Sequence, residues 1–232
     1  MKKSLWVAMI GALAVSVVAA SAQEVLSANT IGYIKRQLPA GGDLITVSVP
    51  LFNMTAPNNV FSNLSVAAEV PTLSSASFWD PGTQSWNSGT KKAKGGWDAN
   101  VATQIVGVGE FFFVKGPATS TVPTEITIAG EVPDVATQIR AIPGSSSLGS
   151  MANPYPADFV FGTSSLASNA TVLSSVSIWD AGSQSWNSGT KKAKGGWDSN
   201  VATARVAATE GFFLKEVGTV TSWTNTKPYT WP

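Results

Sequence analysis

Two residue types are missing from this sequence: none of its 232 positions holds cysteine or histidine. Without cysteine there is no disulfide framework and no thiolate ligand. Without histidine there is no imidazole base, so Ser-His-Asp and Cys-His nucleophiles and Cys/His zinc sites are all excluded. Charge is scarce as well. Charged residues make up 12% of the chain, against a usual share of roughly 25%. So little charge accompanies disorder when aromatics are missing, but nine Trp and ten Phe point to packed cores. Twenty-one Gly and thirteen Pro, set among Ser, Thr and Asn, are the vocabulary of short strands joined by turns.

Long hydrophobic runs are also rare, and the clear one opens the chain. Lys2 and Lys3 form a positive n-region, and Leu5 to Ala19 is an apolar stretch broken only by Gly11 and Ser16. Ala20-Ser21-Ala22 then supplies the small residues of a cleavage site. Residues 1–22 are therefore expected to be a cleaved secretory signal peptide rather than an anchoring helix. The mature chain would start at Gln23 with 210 residues. Loss of Lys2 and Lys3 leaves thirteen basic against fourteen acidic residues, a net charge of −1. No transmembrane segment is expected in the mature chain. The expected location is extracellular or cell-surface, with the periplasm the other compartment that export allows. A mature chain of this size buries roughly 70% of its unfolded surface, enough to dispense with disulfides. A cysteine-free exported chain with a short Lys-Lys leader suits a bacterial protein. There, Asn53-Met54-Thr55, Asn63-Leu64-Ser65 and Asn169-Ala170-Thr171 are chance matches to the glycosylation sequon.

An internal repeat organises the rest. Gln84 to Asp98 is identical to Gln184 to Asp198, and the match continues through Asn100-Val101-Ala102-Thr103 and Asn200-Val201-Ala202-Thr203. Trp79-Asp80 returns as Trp179-Asp180 at the same offset of 100. Upstream, Leu38-Pro39 to Pro50 aligns with Ile142-Pro143 to Pro154 at an offset of 104, so the second copy is four residues shorter after its second strand. The expected architecture is all-β: two tandem homologous β-sandwich-like repeats of about 100 residues, spanning 23–132 and 133–232. Strands are expected at Ile31–Ile34, Leu44–Val49, Ser77–Trp79, Phe111–Val114 and Thr124–Ile128. In the second copy they fall at Val135–Ile142, Ser174–Trp179, Phe212–Leu214 and Val217–Trp223. Short helical turns fit Asn58–Leu64 and Ala157–Leu166.

Asp80-Pro81-Gly82-Thr83-Gln84-Ser85-Trp86 reads as a tight turn, with Pro fixing φ and Gly accepting a positive one. Locally it resembles the Asp-Pro-x-Thr-x-x-Trp hairpin of kelch blades, although a period of 100 and two copies do not make a propeller. More broadly, Asn29-Thr30-Ile31-Gly32-Tyr33, Leu38-Pro39-Ala40-Gly41 with Leu44-Ile45, Trp79-Asp80 and Gly109-Glu110-Phe111-Phe112-Phe113-Val114 form a series of motifs. With these the chain resembles a group of uncharacterised secreted β-repeat proteins of environmental bacteria. That resemblance implies a surface or extracellular β-module and brings no catalytic residues.

The identical tract is the candidate ligand site. Trp86 and Trp97, with Trp186 and Trp197, would be stacking platforms, Trp97 the anchor beside the Gly95-Gly96 turn. Lys91, Lys92 and Lys94, with Lys191, Lys192 and Lys194, would donate to an acidic or hydroxylated ligand. The alternatives are a long hairpin, with solvated lysines, buried tryptophans and a Gly95-Gly96 pair required by the backbone, and gene conversion between the two copies. Nucleic acid is not expected of a chain with no basic field. Asp80, Asp98 and Asn100 lack the dense oxygen spacing of a calcium loop, so no metal is expected. Glycoside hydrolysis needs only two carboxylates, and Asp80, Asp98, Glu110, Asp180, Asp198 and Glu210 are candidates. Each of them sits beside a turn or strand start, where a structural role is ordinary. The expectation is therefore a non-enzymatic structural or adhesive protein of the bacterial cell surface or matrix, with no cofactor. Its partners would be other copies of itself, paired through sheet edges short of blocking charges, or a surface polysaccharide. A carbohydrate-binding module using the duplicated Trp/Lys tract is the alternative.

Overall fold

The computed structural model describes residues 30–52, 59–144 and 146–230. The expected signal peptide and the sequon at Asn53 lie outside the described residues. The first half runs β1 (Ile31–Leu38), β2 (Leu44–Ser48), α1 (Ser65–Glu69), β3 (Ser75–Asp80), β4 (Ser85–Thr90), α2 (Ala99–Ala102), β5 (Phe111–Lys115) and β6 (Thr124–Glu131). The second begins with β7 (Thr137–Ala141), β8 (Leu148–Ala152), β9 (Phe159–Val160), α3 (Ser165–Asn169) and β10 (Ser175–Asp180). It continues with β11 (Ser185–Thr190), α4 (Ser199–Ala202), β12 (Arg205–Val206), β13 (Gly211–Lys215) and β14 (Ser222–Thr226). The fold is all-β, its helices single turns. Among the described residues no helix is long and apolar enough to cross a membrane.

The two halves pair their strands alike. A four-stranded antiparallel sheet, β2-β5-β3-β4, is matched by β8-β13-β10-β11, and the ribbon β1-β6 by β7-β14. Registers agree at an offset of 100: Trp79 lies opposite Trp86 and Trp179 opposite Trp186. Phe78 faces Phe112 as Ile178 faces Phe212. The first and second strands of the halves agree at 104, Leu44 and Leu148 facing Lys115 and Lys215.

Side-chain alternation explains the layering. Ile45 and Val47 of β2, Phe112 and Val114 of β5, and Ile126 and Ile128 of β6 meet in one core with Phe61, Trp97 and Val101. The ribbon thus lies over the inner face of the sheet. Met151, Phe212, Leu214, Trp223, Phe161, Trp197 and Val201 repeat the arrangement in the second half. The residues between them on the central strands, Phe111, Phe113 and Phe213, point the other way. With Ala152 they form a third cluster that joins the outer faces of the two sheets.

The polar bonds of this junction are reciprocal. Trp79 Nε1 donates to Leu148 O at 2.7 Å, and Trp179 Nε1 to Leu44 O at 2.9 Å. Gln84 accepts from Leu148 N and donates to Leu148 O, as Gln184 does with Leu44. Arg36 pairs with Glu210 at 2.8 Å and Arg140 with Glu110 at 2.6 Å.

Several elements differ from the sequence expectation. The last strand is Ser222–Thr226 rather than Val217–Trp223, and β4 and β11, which the hairpin at Asp80–Trp86 implies without bounds, are six-residue edge strands. The expected helical segments are split into a 3-10 turn (Phe61–Asn63, Phe161–Thr163) and one α-turn each. The edge of β4 is also covered. Asp98 and Thr90 exchange bonds, Asp98 Oδ2 accepting from Thr90 N at 2.9 Å and Asp98 N donating to Thr90 O, while Asn100 Nδ2 donates to Ser88 O.

Two of the buried differences between the halves bear on stability. Phe111 has Gly211 as its counterpart, and a Cβ on Gly211 would fall inside the Phe111 side chain. Gly211→Ala is therefore expected to cost about 1–3 kcal/mol through overpacking, and the Phe111→Ala background should remove most of that cost. Chemical denaturation of the three variants measures it.

The second difference is Glu216, whose counterpart is Gly116. Burial would raise its carboxyl, but bonds from Thr171 N, Ser174 Oγ (2.9 Å) and Gly218 N (3.0 Å) outweigh that and hold it below the usual carboxylate range. In the first half, Ser74 Oγ is left buried without a partner. A depressed folded pKa means stability that is present above the unfolded value and lost as pH falls through the folded one. Glu216→Gln should destabilise by about 1.5–3 kcal/mol at neutral pH, and the gap from the parent should narrow below about pH 4.5. Ser174→Ala should destabilise while Ser74→Ala is close to neutral. Melts across pH compare all three.

Candidate functional site

The site is built from two hairpins. Asp80 Oδ1 accepts from Gly82 N and Oδ2 from Thr83 Oγ1, both at 2.8 Å, and Asp180 is held likewise by Gly182 and Ser183. The Thr83 or Ser183 hydroxyl first, and the glycine amide second, keep both carboxyls below their ordinary range. These fixed turns set Trp79 edge-on to Trp86, and Trp179 edge-on to Trp186, at 5.1 Å between centroids. Both pairs stand on the outer sheet faces, where the halves meet. Trp86 lies 5.8 Å from Phe213, and Trp186 5.8 Å from Phe113.

Two recesses open there, of about 390 and 420 Å³. Leu44, Ser77, Ser88, Phe113 and Trp179 line one, and Leu148, Ser177, Ser188, Phe213 and Trp79 the other, while Trp86 and Trp186 line both. The offsets of 100 and 104 convert either list into the other. Trp86 and Trp186 remain 43% and 38% exposed despite their ring contacts. Ser77 and Ser88 hydroxyls bond each other at 2.8 Å, as do Ser177 and Ser188. Among the described residues, no charged side chain lines either recess.

The remaining residues of the expected site lie elsewhere. Trp97 and Trp197 are 9% and 8% exposed, packed edge-on to Phe61 and Phe161, with Nε1 donating to Ala67 O and Ala167 O. They are core residues, which corrects their expected role as stacking anchors: the turn at Gly95-Gly96 sends the ring inward. Lys91 Nζ donates to three carbonyls at the end of α1, those of Ala67, Ala68 and Val70, and Lys191 does the same at α3. Burial lowers the Lys91 ammonium below the ordinary lysine range. Lys92 and Lys192 pair with Asp98 and Asp198, and Lys94 and Lys194 stand in solvent. Only Trp86 and Trp186 of the expected site reach the recesses. Trp79, Trp179, Phe113, Phe213 and the serines were not anticipated there, although the flanking of one turn by Trp79 and Trp86 was a signal.

The carboxylates considered for hydrolysis are engaged. Glu110 and Glu210 bind guanidinium groups across the junction, Asp80 and Asp180 hold turns, and Asp98 and Asp198 hold strand ends. Among the described residues no three acidic side chains gather as a metal site. No protein-family model, curated protein or solved structure matches this chain. Its surface chemistry must speak for it.

The burial pattern sets out what replacing the tract should do. Trp97→Ala is expected to cost about 3–5 kcal/mol by opening a cavity. Lys91→Ala should cost about 1–3 kcal/mol by stripping the Ala68 and Val70 carbonyls of their side-chain donor, Ala67 O keeping Trp97 Nε1, and Lys94→Gln less than about 0.5 kcal/mol. Melting temperatures of the three variants test the ranking.

Proposed function

We propose that the protein is a non-enzymatic adhesion module of the bacterial cell surface or extracellular matrix that binds an uncharged polysaccharide in the junction groove. One observation carries the proposal: Trp86 and Trp186, packed edge-on against Trp79 and Trp179, stay partly open to solvent and share two recesses lined by serine hydroxyls. Apolar C–H faces of sugars pack on indole rings, and sugar hydroxyls exchange bonds with neighbouring hydroxyls. A lining without charge favours a neutral ligand over the acidic one that the lysines suggested. Export rests on the Lys2-Lys3 leader and its cleavage motif. We also read the halves as tandem copies of one unit. Assembly through the β4 edge has less support, since Asp98 and Asn100 already occupy that edge.

Affinity electrophoresis of the full chain in gels of neutral and acidic polysaccharides tests the proposal. At least one neutral glycan should retard the protein, with little dependence on salt. Trp86→Ala and Trp186→Ala should each weaken binding roughly fivefold, corresponding to about 1 kcal/mol of stacking, with the fold retained. Retardation only by acidic polymers, or binding indifferent to both changes, would sink it.

A further inference from the structure

At one position in each half the residue suits neither the backbone nor the solvent around it. Pro71 to Ser74 form a turn closed by Ser74 N donating to Pro71 O, and Thr171 to Ser174 form its counterpart. The third residue of each turn is a leucine in the left-handed region, Leu73 at φ 68° and Leu173 at φ 73°. Turns with a positive φ at this place take Gly or Asn, and a leucine there is strained. Packing offers no compensation, because Leu73 is 58% and Leu173 65% exposed. The residues before them differ, Pro71-Thr72 against Thr171-Val172, yet the leucine stands in both halves. The positive φ of Gln84 and Gln184 goes with side-chain bonds across the junction, whereas the exposed leucines make no such bond, and their strain points to a role outside folding.

The neighbours indicate which function. Leu73 N donates to Lys91 O and Lys91 N to Ser74 O, fastening the leucine turn to the start of the turn Lys92–Gly96. That turn is exposed throughout, and its Lys94 has no partner among the described residues. Gly95 and Gly96 have φ of 82° and 78°, with open space where a Cβ would stand. Leu173 and Lys192–Gly196 repeat the arrangement. Lys115 and Lys215, opposite Ser75 and Ser175 in the sheets, add an exposed cation to the same strand ends. Each tip therefore sets an exposed leucine beside ammonium groups. Each tip adjoins the end of a recess, since Leu44 and Leu148, which line the recesses, pair with Lys115 and Lys215.

We propose that either of these tips docks the protein on an anionic lipid surface, its leucine entering the acyl boundary and its lysines lying among the headgroups. An acidic polymer would use the lysines and gain nothing from a strained leucine; a bilayer uses both. The junction sets the Leu73 end of one half against the Trp179 hairpin of the other, so the two tips lie at opposite ends and each docks singly.

The full chain is tested by co-sedimentation with vesicles of mixed phosphatidylcholine and phosphatidylglycerol, of phosphatidylcholine alone, and with alginate as a soluble polyanion. The parent should bind the phosphatidylglycerol vesicles, more weakly as salt rises, and bind the neutral vesicles little. Leu73→Gly/Leu173→Gly should weaken that binding by about tenfold or more, while its melting temperature stays level or rises as strain is relieved. Lys94→Gln/Lys194→Gln should weaken it and flatten the salt dependence. Trp86→Ala/Trp186→Ala should leave it unchanged, which separates lipid docking from glycan binding in the groove. Absence of vesicle binding by the parent overturns the proposal. So does a glycine variant that binds vesicles like the parent, or an alginate complex equally strong in parent and glycine variant without vesicle binding.

Discussion

A sheet with two apolar faces cannot stand in water on one covering layer, and the rest of this structure depends on that constraint. In β5, Phe112 and Val114 enter the core beneath the β1-β6 ribbon, while Phe111 and Phe113 face outward and are just as apolar in character. Strands buried on both sides read as continuous hydrophobic runs, and Phe111-Phe112-Phe113-Val114 is such a run. The second half covers the outer face with Phe213 and Ala152, and has its own outer face covered in return. The polar bonds follow from this packing. Bringing the sheets together would bury the free N–H and C=O of Leu44 and Leu148, and the Gln184 and Gln84 side chains satisfy them. Gln84 and Gln184 both lie at positive φ, 52° and 51°. We attribute that strain to the aim their amides must keep across the junction.

Once the sheets are joined this way, the identity of the two central tracts has a local account. Trp97 fills the core, Lys91 closes the end of α1, and Asp98 and Asn100 occupy the free edge of β4. Each is bonded within its own half, and each bond needs that residue type at that spacing. Identity in these positions therefore says little about a ligand. What the local account leaves over is informative: Trp86 and Trp186 in the groove, and the turns bearing Lys94 and Lys194. These are the places where side chains remain available to something outside the chain.

The strands whose faces differ were legible in the sequence. β3 alternates buried Ala76 and Phe78 with polar neighbours, and β6 alternates Ile126 and Ile128 with Thr127. The Asp-Pro-Gly turn announced its hairpin through the Asp80 bonds to Gly82 and Thr83, although the positive φ falls at Gln84 and not at Gly82. By contrast, the extent of β4 was not legible, since Ser85–Thr90 is an edge strand held by neighbours and has no apolar face to display. α2 is a four-residue turn, too short for periodicity to register. The groove was only half legible. Trp86 could be named from its tract, but Phe213 reaches Trp86, and Phe113 reaches Trp186, only across the junction between the halves. Whether Trp97 faced water or core was decided by the direction of the Gly95-Gly96 turn, which composition does not encode.

The junction also shows what one chain can do that two identical chains cannot. In a symmetric dimer every residue near the axis meets its own copy, so a side chain there must fit twice or be absent twice. Phe111 fills the centre of this junction, 5.6 Å from Phe113 and 5.0 Å from Phe213, and its counterpart is Gly211. Phenylalanine at both positions would place two rings in the space of one. Glycine at both would leave a void at the most buried point of the interface, and cavities there cost stability in proportion to their size. With the halves covalently joined, one position supplies the ring and the other the room for it. The departure from symmetry thus lies where strict symmetry would have been hardest to pack, while the reciprocal bonds around it keep the two-fold pattern.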